Sequence, residues 1–169
     1  KGLMEMVEAL SLCPPNVQLL FVGTGDFQTR LEGRARELGV ISRICFLSAR
    51  SLTELPQVMN AMHTLILASQ TTSRWNEQFG RVVIEANACG TPVIGSNSGA
   101  IPDVVGRGGL IVDERDPIAL AAAIRCLVSN PEKREQLGLI GRRQVEERYT
   151  WNRVATCMRE IYDQLLEPA

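Results

Sequence analysis

The chain has 169 residues, a formal net charge of −1 and 22% charged residues. That length suits one domain with a sizeable core, and the near-neutral charge gives no sign of a nucleic-acid-binding surface. No run of about 18 apolar residues and no signal-peptide pattern occurs, so the sequence predicts no membrane-spanning segment.

The cysteines indicate the redox environment. There are five, at positions 13, 45, 89, 126 and 157, and no two form a C-x-x-C pair. Most stand among apolar neighbours, so we expect buried free thiols in a reducing compartment and neither a disulfide nor a metal site. The cytoplasm, or the cytoplasmic face of a membrane, is the expected location.

Helix and strand signals alternate through the first half of the chain. Apolar residues at positions 3, 4, 7 and 10 predict a helix that ends before Pro14. VQLLFVGTG is a continuous apolar run bounded by glycines, as expected of a parallel strand buried on both faces. A helix over FQTRLEGRARELGV and a strand at residues 43–47 follow. SLTELPQVMNAMH then predicts a helix with a Ser or Thr cap and with Leu55, Val58 and Met62 directed inward.

The second half continues the alternation. After the apolar strand TLILAS and a polar loop, a short helix is predicted to start near Arg81, with Gly90 as its left-handed C-terminal cap. TPVIGS and GGLIV are the next strands, Asp116 and Pro117 start a helix, and two more helices follow. This order predicts an α/β fold with a doubly wound, mostly parallel sheet, whose ligand binds at the carboxyl ends of the strands.

The start of the helix at Arg81 has the chemistry of an anion site. The first turn of a helix exposes unpaired backbone N–H groups, and Gly80 has no Cβ to keep a ligand from the backbone. Glu77 precedes this turn, and Glu85 lies about one turn inside it. Two carboxylates would repel a bare phosphate, but they accept hydrogen bonds from hydroxyl groups that flank phosphates. A nucleotide sugar has that shape.

Several segments together resemble one enzyme family. The pattern E-x-F-G-x-x-x-x-E-A-x-A-x-G-x-P-V-I, which begins at Glu77, closely resembles the retaining glycosyltransferases of group 1, family four. VGTGDF, ICFLS, GGLIVDERDPIALAAAI and YTWNRVATCMREIY are similar to further segments of that family, in the same order. The resemblance covers nearly the whole chain. It implies a Rossmann-like three-layer αβα domain, the C-terminal half of a GT-B fold.

The resemblance also implies roles for individual residues. Glu77 would be catalytic, holding hydroxyls of the transferred sugar and stabilising positive charge at its anomeric carbon, and Glu85 would bind the ribose. The other implied donor-binding residues are Phe79, Gly80, Arg81, Val82, Lys1, Gly23, Leu47 and Arg50. The amides of residues 79–82 and Lys1 would face the diphosphate, and the backbone of residues 47–50 would line the nucleotide base. No DxD or histidine cluster occurs, so no metal or other cofactor is expected.

Alternatives stay open at several of these positions. Lys1 could be a solvated lysine, Gly23 a turn without a ligand, and residues 47–50 a purely structural turn. The lone histidine, His63, is more typical of a structural than of a catalytic residue at a helix–strand junction.

The sequence therefore predicts the donor domain of a hexosyltransferase that moves sugar from a nucleoside diphosphate to an acceptor hydroxyl, in polysaccharide or glycoconjugate synthesis. The acceptor, a glycan, a lipid or a small molecule, would bind mainly to an N-terminal domain. That domain and the first strand of this one are expected to precede Lys1, so the 169 residues alone are expected to be inactive. The alternative is a non-catalytic nucleotide-binding or interaction module of the same fold.

Overall fold

The computed structural model describes residues 1–166, in which helices and strands alternate along the chain. The helices are α1 (Leu3–Ser11), α2 (Gln28–Glu37), α3 (Leu55–Ala61), α4 (Arg81–Ala88), α5 (Ile101–Val105), α6 (Pro117–Ser129), α7 (Pro131–Arg148) and α8 (Trp151–Leu166). The strands are β1 (Leu19–Val22), β2 (Ile44–Leu47), β3 (Leu65–Leu67), β4 (Val93–Ser96) and β5 (Gly109–Val112). A 3-10 turn, Ile41–Arg43, leads directly into β2.

Every strand pair is parallel, which confirms the α/β prediction. β1 pairs with β2, with Leu19 opposite Ile44. β3, β4 and β5 form a second section, in which Val93 of β4 lies opposite Leu65 on one side and Gly109 on the other. The strands thus form two sections, and β1 and β3 do not pair directly.

Helices cover both faces of the sheet at β4. All four residues of β4 are buried, and their side chains alternate between the faces. Val93 belongs to the apolar cluster formed with α3, α4 and α5, whereas Ile94 belongs to the cluster formed with α1 and α6. The result is the expected Rossmann-like three-layer αβα arrangement, and it explains why the strands are continuously apolar.

One apolar cluster joins the two sections of the sheet. Leu19 and Phe21 of β1 and Ile66 of β3 all pack against the cluster that contains Met6 of α1 and Leu120 of α6. β1 and β3 therefore lie over the same helices although no backbone hydrogen bonds connect them. The loops that carry the predicted site lie at the carboxyl ends of the strands in both sections.

Helix α3 differs from the prediction. It begins at Leu55, and Pro56 lies in its first turn. No Ser or Thr caps it; instead, the Glu54 carboxylate accepts hydrogen bonds from the N–H and the hydroxyl of Ser51, at 2.9 and 2.7 Å. The single buried residue of α3 is Met59, and the three residues expected to point inward, Leu55, Val58 and Met62, are only half-buried.

The expectation of buried thiols is correct for Cys13 and wrong for two others. All five cysteines are free, but Cys45 and Cys157 are exposed. Cys45 lies on β2, an edge strand, where its neighbours Ile44 and Phe46 take the core side. Cys157 lies on α8, none of whose residues is buried.

Helix α8 is amphipathic, as predicted, but its apolar face is open. Trp151, Val154, Met158, Ile161 and Leu165 recur at helical spacing and are all exposed. No part of residues 1–166 covers this face. None of the helices in that range is long and apolar enough to cross a bilayer.

Candidate functional site

Gly80 starts helix α4 in a left-handed conformation. Its φ is 74°, which favours glycine, and a Cβ there would lie 3.1 Å from Cδ2 of Leu67 on β3. The glycine thus has structural reasons to be present besides ligand access. No side chain caps the helix, so the first-turn amides, including those of Arg81 and Val82, are available to an anion.

Glu77 is held at the carboxyl ends of β3 and β4. Its backbone oxygen accepts the Ala100 N–H at 2.9 Å, and its Oε2 accepts the Ser69 hydroxyl at 3.2 Å. A Cβ on Gly99 would overlap the carbonyl oxygen of Glu77, so the two backbones are in direct contact. The half-buried Glu77 side chain therefore lies at the sheet edge where ligands of such folds bind.

Glu85 lies one turn inside α4, at the rim of an apolar cavity. Its Oε1 is 3.3 Å from Nε of Arg81, and the two side chains are 32% and 79% exposed. The cavity, about 220 Å³ in volume, lies between α3 and α4 and is lined by Leu52, Leu55, Pro56, Met59, Glu85, Ala88 and Cys89. A carboxylate beside an apolar cleft suits a ligand with both hydroxyl groups and a flat ring. The sequence did not indicate this cavity.

The start of the chain lies beside the Glu77 region. Gly2 is buried with a φ of 65°, and a Cβ on it would overlap the carbonyl oxygen of Ala68. Ala68 precedes Ser69, the hydrogen-bond partner of Glu77. This contact places the backbone of Lys1, which is exposed, close to the end of β3. The role of Lys1 at the diphosphate stays a prediction.

Gly23, Leu47 and Arg50 form a separate group at the carboxyl ends of β1 and β2. The Gly23 N–H donates to the Leu47 carbonyl at 2.8 Å, and open space surrounds the Gly23 Cα. One guanidinium nitrogen of Arg50 lies 3.8 Å from the Glu54 carboxylate. Within residues 1–166, no hydrogen bond or ion pair links these three residues to Glu77 or Glu85.

Phe79 contacts the joint between α7 and α8. Its ring is 45% exposed and meets Tyr149 edge-on, with ring centroids 6.0 Å apart. The side chain of Phe79 therefore serves packing, while its backbone enters the turn before α4. His63 lies elsewhere: it is exposed and lines a cavity of about 330 Å³ with Pro92, at the amino end of β4.

A hydrogen-bond network beside Glu77 was not predicted. The N–H and the hydroxyl of Thr71 both donate to the Glu114 carboxylate, at 2.7 and 2.6 Å. The Thr71 hydroxyl is also 2.9 Å from that of Ser98, and Arg115 donates to the Thr71 carbonyl at 2.7 Å. The hydrogen bonds that Glu114 accepts, most of all the one from the Thr71 hydroxyl, lower the pKa of its carboxyl group. The partners of Thr71 lie 27 to 44 residues further along the chain, so no local pattern reveals these bonds.

In the part of the chain that the structure describes, no three His, Cys, Asp or Glu side chains are grouped as metal ligands. The arrangement instead offers backbone amides at the start of α4, flanked by the carboxylates of Glu77 and Glu85. This combination can hold a ligand that has an anionic centre and hydroxyl groups on both sides.

Comparisons with known proteins agree with this chemistry. The family model described as "Glycosyl transferases group 1" matches residues 1–144. "Spore coat protein SA" of Bacillus subtilis is 31% identical over 159 residues, which cover 89% of this chain and 41% of that protein.

Two solved structures extend the likeness to the fold. The sucrose-phosphate synthase of Thermosynechococcus elongatus is 34% identical with a TM-score of 0.86, over 98% of this chain and 42% of that one. Alr3699/HepE of Anabaena, in complex with UDP-glucose, is 28% identical with a TM-score of 0.81, over 98% and 45%. The chain spans less than half the length of each of these proteins, and it belongs to the family of group 1 glycosyl transferases.

Proposed function

We propose that the chain is the donor-binding, C-terminal half of a retaining GT-B glycosyltransferase that uses a nucleoside-diphosphate sugar. The observation that carries this proposal is the position of Glu77 and Glu85 on either side of the uncapped start of α4. The bound UDP-glucose of the similar Anabaena protein supports the class of donor.

Different residues bind different parts of the donor. The first-turn amides of α4 and Lys1 bind the diphosphate, and Glu85 accepts hydrogen bonds from the ribose hydroxyls. Glu77 holds sugar hydroxyls and stabilises the positive charge that develops at the anomeric carbon, a type of interaction that often contributes most to catalysis. The bond from that carbon to the diphosphate breaks, and its electron pair leaves with the phosphate. The acceptor oxygen bonds to the same face of the carbon and its proton passes to the leaving phosphate.

The ion pair between Arg81 and Glu85 does not prevent ribose binding. Arg81 is largely exposed, and an exposed pair of this kind contributes only about 0–1 kcal/mol. Hydrogen bonds from hydroxyls to a carboxylate contribute roughly 1.5–3 kcal/mol each. Exchange of Arg81 for two ribose hydroxyls is therefore favourable, and it frees the guanidinium to turn toward the diphosphate.

We also propose that the complete enzyme has a strand between β1 and β3, contributed by chain that precedes Lys1, and an N-terminal domain that binds the acceptor. The shared apolar cluster under β1 and β3 supports this. A longer protein that adds the segment before Lys1 should melt at a higher temperature than this chain. An unchanged melting temperature would contradict the strand. This chain alone should bind the donor without transferring sugar.

The test of donor binding is a thermal-shift series with UDP, GDP, ADP and their sugars. A ligand at a hundred times its dissociation constant stabilises the fold by about 2.7 kcal/mol, which is roughly 5–11 °C for a chain of this size. Glu85→Ala should abolish the shift. Glu146→Ala is the matched control, because it removes an equivalent helical ion pair, Arg142–Glu146 at 3.1 Å, on α7.

The outcomes separate the proposals. The donor site is identified if nucleotides of one base cause a thermal shift that is lost in Glu85→Ala and kept in Glu146→Ala. The same shift in the presence of EDTA would support a metal-independent site. If the complete protein binds a nucleotide sugar but transfers nothing to any acceptor, the non-catalytic binding module is correct. If it binds none, the donor-domain proposal is wrong.

A further inference from the structure

We propose that Glu114 and Arg115 are positioning residues that clamp the loop carrying Glu77. Residues 70–78 are called the Glu77 loop below. This inference rests on the proposed function only for the role of Glu77; the clamp itself is a statement about structure. Neither residue stands out in the sequence, where charged side chains after a strand are typical of a solvated turn.

The clamp engages every polar group of Thr71, near the start of the Glu77 loop. Glu114 accepts hydrogen bonds from the Thr71 N–H and hydroxyl, at 2.7 and 2.6 Å, and Arg115 donates to the Thr71 carbonyl at 2.7 Å. Two adjacent residues thus bind one residue by three separate contacts. Such an arrangement fixes both the position and the orientation of the Thr71 backbone.

The other end of the Glu77 loop is fixed on the turn between β4 and α5. Glu77 itself accepts the Ala100 N–H and packs on Gly99. Between the two ends, the loop closes on itself through the Thr72 N–H and the Trp75 carbonyl, 2.8 Å apart. The geometry of the Glu77 carboxylate therefore depends on these two anchors of the loop and on the Ser69 hydroxyl, and the clamp is one of the anchors.

The clamp is itself held by side-chain hydrogen bonds. The Asn97 side chain donates to Asp113 at 2.8 Å and accepts the Glu114 N–H at 2.9 Å. The Glu114 side chain is 15% exposed, and the hydrogen bonds that hold it lower its pKa, so it is an ionised acceptor. Arg115 has a φ of 58°, the only positive φ outside glycine among residues 1–166. An arginine in this unfavourable conformation needs compensating contacts, and its bond to Thr71 is one.

The first test is hydrogen exchange of the Glu77 loop in the full-length protein, which needs no ligand. Glu114→Gln replaces one carboxylate oxygen with an NH2 group, so the side chain of residue 114 can no longer accept from the Thr71 N–H at one atom and from the Thr71 hydroxyl at the other. It should speed exchange in the loop about fivefold, the factor for one hydrogen bond. Glu54→Gln is the matched control: Glu54 also accepts an N–H and a hydroxyl from one residue, but it lies at α3. It should leave the loop unchanged.

Arg115→Gly distinguishes positioning from general stability. Glycine tolerates a φ of 58° without strain, so this variant should melt at or above the wild-type temperature. It should nevertheless speed exchange in the Glu77 loop, because the contact with the Thr71 carbonyl is lost. A merely structural role would predict that loop exchange changes only when the melting temperature does.

The second test measures release of UDP from UDP-glucose by the full-length protein. If the clamp positions Glu77, Glu114→Gln should lower kcat about tenfold or more, since small displacements of reacting groups are costly, and leave KM for the donor within about twofold. Unchanged exchange in both Glu114→Gln and Arg115→Gly would overturn the clamp. No release of UDP by the wild type would count against the proposed function for this donor, and exchange would still decide the clamp.

Discussion

Replacement of Gly99 by alanine should displace Glu77 and weaken the site. Gly99 has a φ of 53°, and a Cβ there would lie within 3.0 Å of the N, C and O atoms of Glu77. A left-handed alanine costs roughly 1–2 kcal/mol. The collision also moves Glu77 away from the Ala100 N–H, whose bond contributes about 0.5–1.5 kcal/mol.

Gly39→Ala measures the cost of a left-handed alanine alone. Gly39 has a φ of 69°, but no atom lies within 4 Å of the position of its Cβ. It should lose about 1–2 kcal/mol, or roughly 2–8 °C in melting temperature. Gly99→Ala should lose about 1.5–3.5 kcal/mol, or roughly 3–14 °C.

Two assays compare these variants, thermal melting and the donor-induced thermal shift. The shift caused by a nucleotide sugar should be smaller in Gly99→Ala than in Gly39→Ala, since only Gly99 touches Glu77. Equal melting temperatures and equal donor shifts for the two variants would refute the direct contact between Gly99 and Glu77. A full donor shift in a Gly99→Ala protein that melts earlier would instead refute the role of Glu77 in holding the donor.

The remaining predictions concern two polar side chains. Asn87→Leu should raise the melting temperature. Both polar atoms of the Asn87 side-chain amide are buried without a hydrogen-bond partner, which costs about 1–3 kcal/mol for each group. A lower melting temperature would mean that Gly108 and Gly141, which adjoin the amide, leave no room for the leucine methyl groups. The pKa of Glu114 is lower in the folded protein than its usual value near 4.5. Ionised Glu114 therefore stabilises the fold above that usual value, and this stabilisation is lost as the pH falls through the folded pKa. Melting curves of wild type and Glu114→Gln should therefore converge in acid, and a constant difference at every pH would contradict this.

Local signals in the sequence predicted the elements that they control. Asp116 ahead of Pro117 predicted the start of α6, and its carboxylate accepts the N–H groups of Ile118 and Ala119 at 2.9 and 2.8 Å. Gly90 has the left-handed φ of 74° that was predicted for the end of α4. Strand β4, which is buried throughout, was recognisable because a strand covered on both faces must be apolar throughout, whereas β1 was expected to be buried on both faces and is only half-buried.

Contacts between distant segments were not predictable in this way. The bonds from Thr71 to Glu114 depend on the adjacency of β3, β4 and β5, which a linear pattern does not contain. The start of α3 was predicted too early: Ser51 does not cap the helix, and its hydroxyl donates to Glu54 in the turn before it. Cys45 is exposed because its side chain faces away from the side of β2 on which Ile44 and Phe46 meet the core. The pattern around Glu77 and Glu85 correctly located the turn before α4, while the roles of the individual residues stay predictions.

The gap between the two sheet sections affects how the chain behaves at high concentration. In residues 1–166, β1 and β3 each pair on one side only, and their sequences, LLFV and LIL, contain neither charge nor proline. Charges and prolines are the usual protection of strand edges against intermolecular pairing. A strand from a second molecule can therefore pair at the edges where the segment proposed to supply a further strand would lie. Self-association and binding of that segment are then competing events at one place.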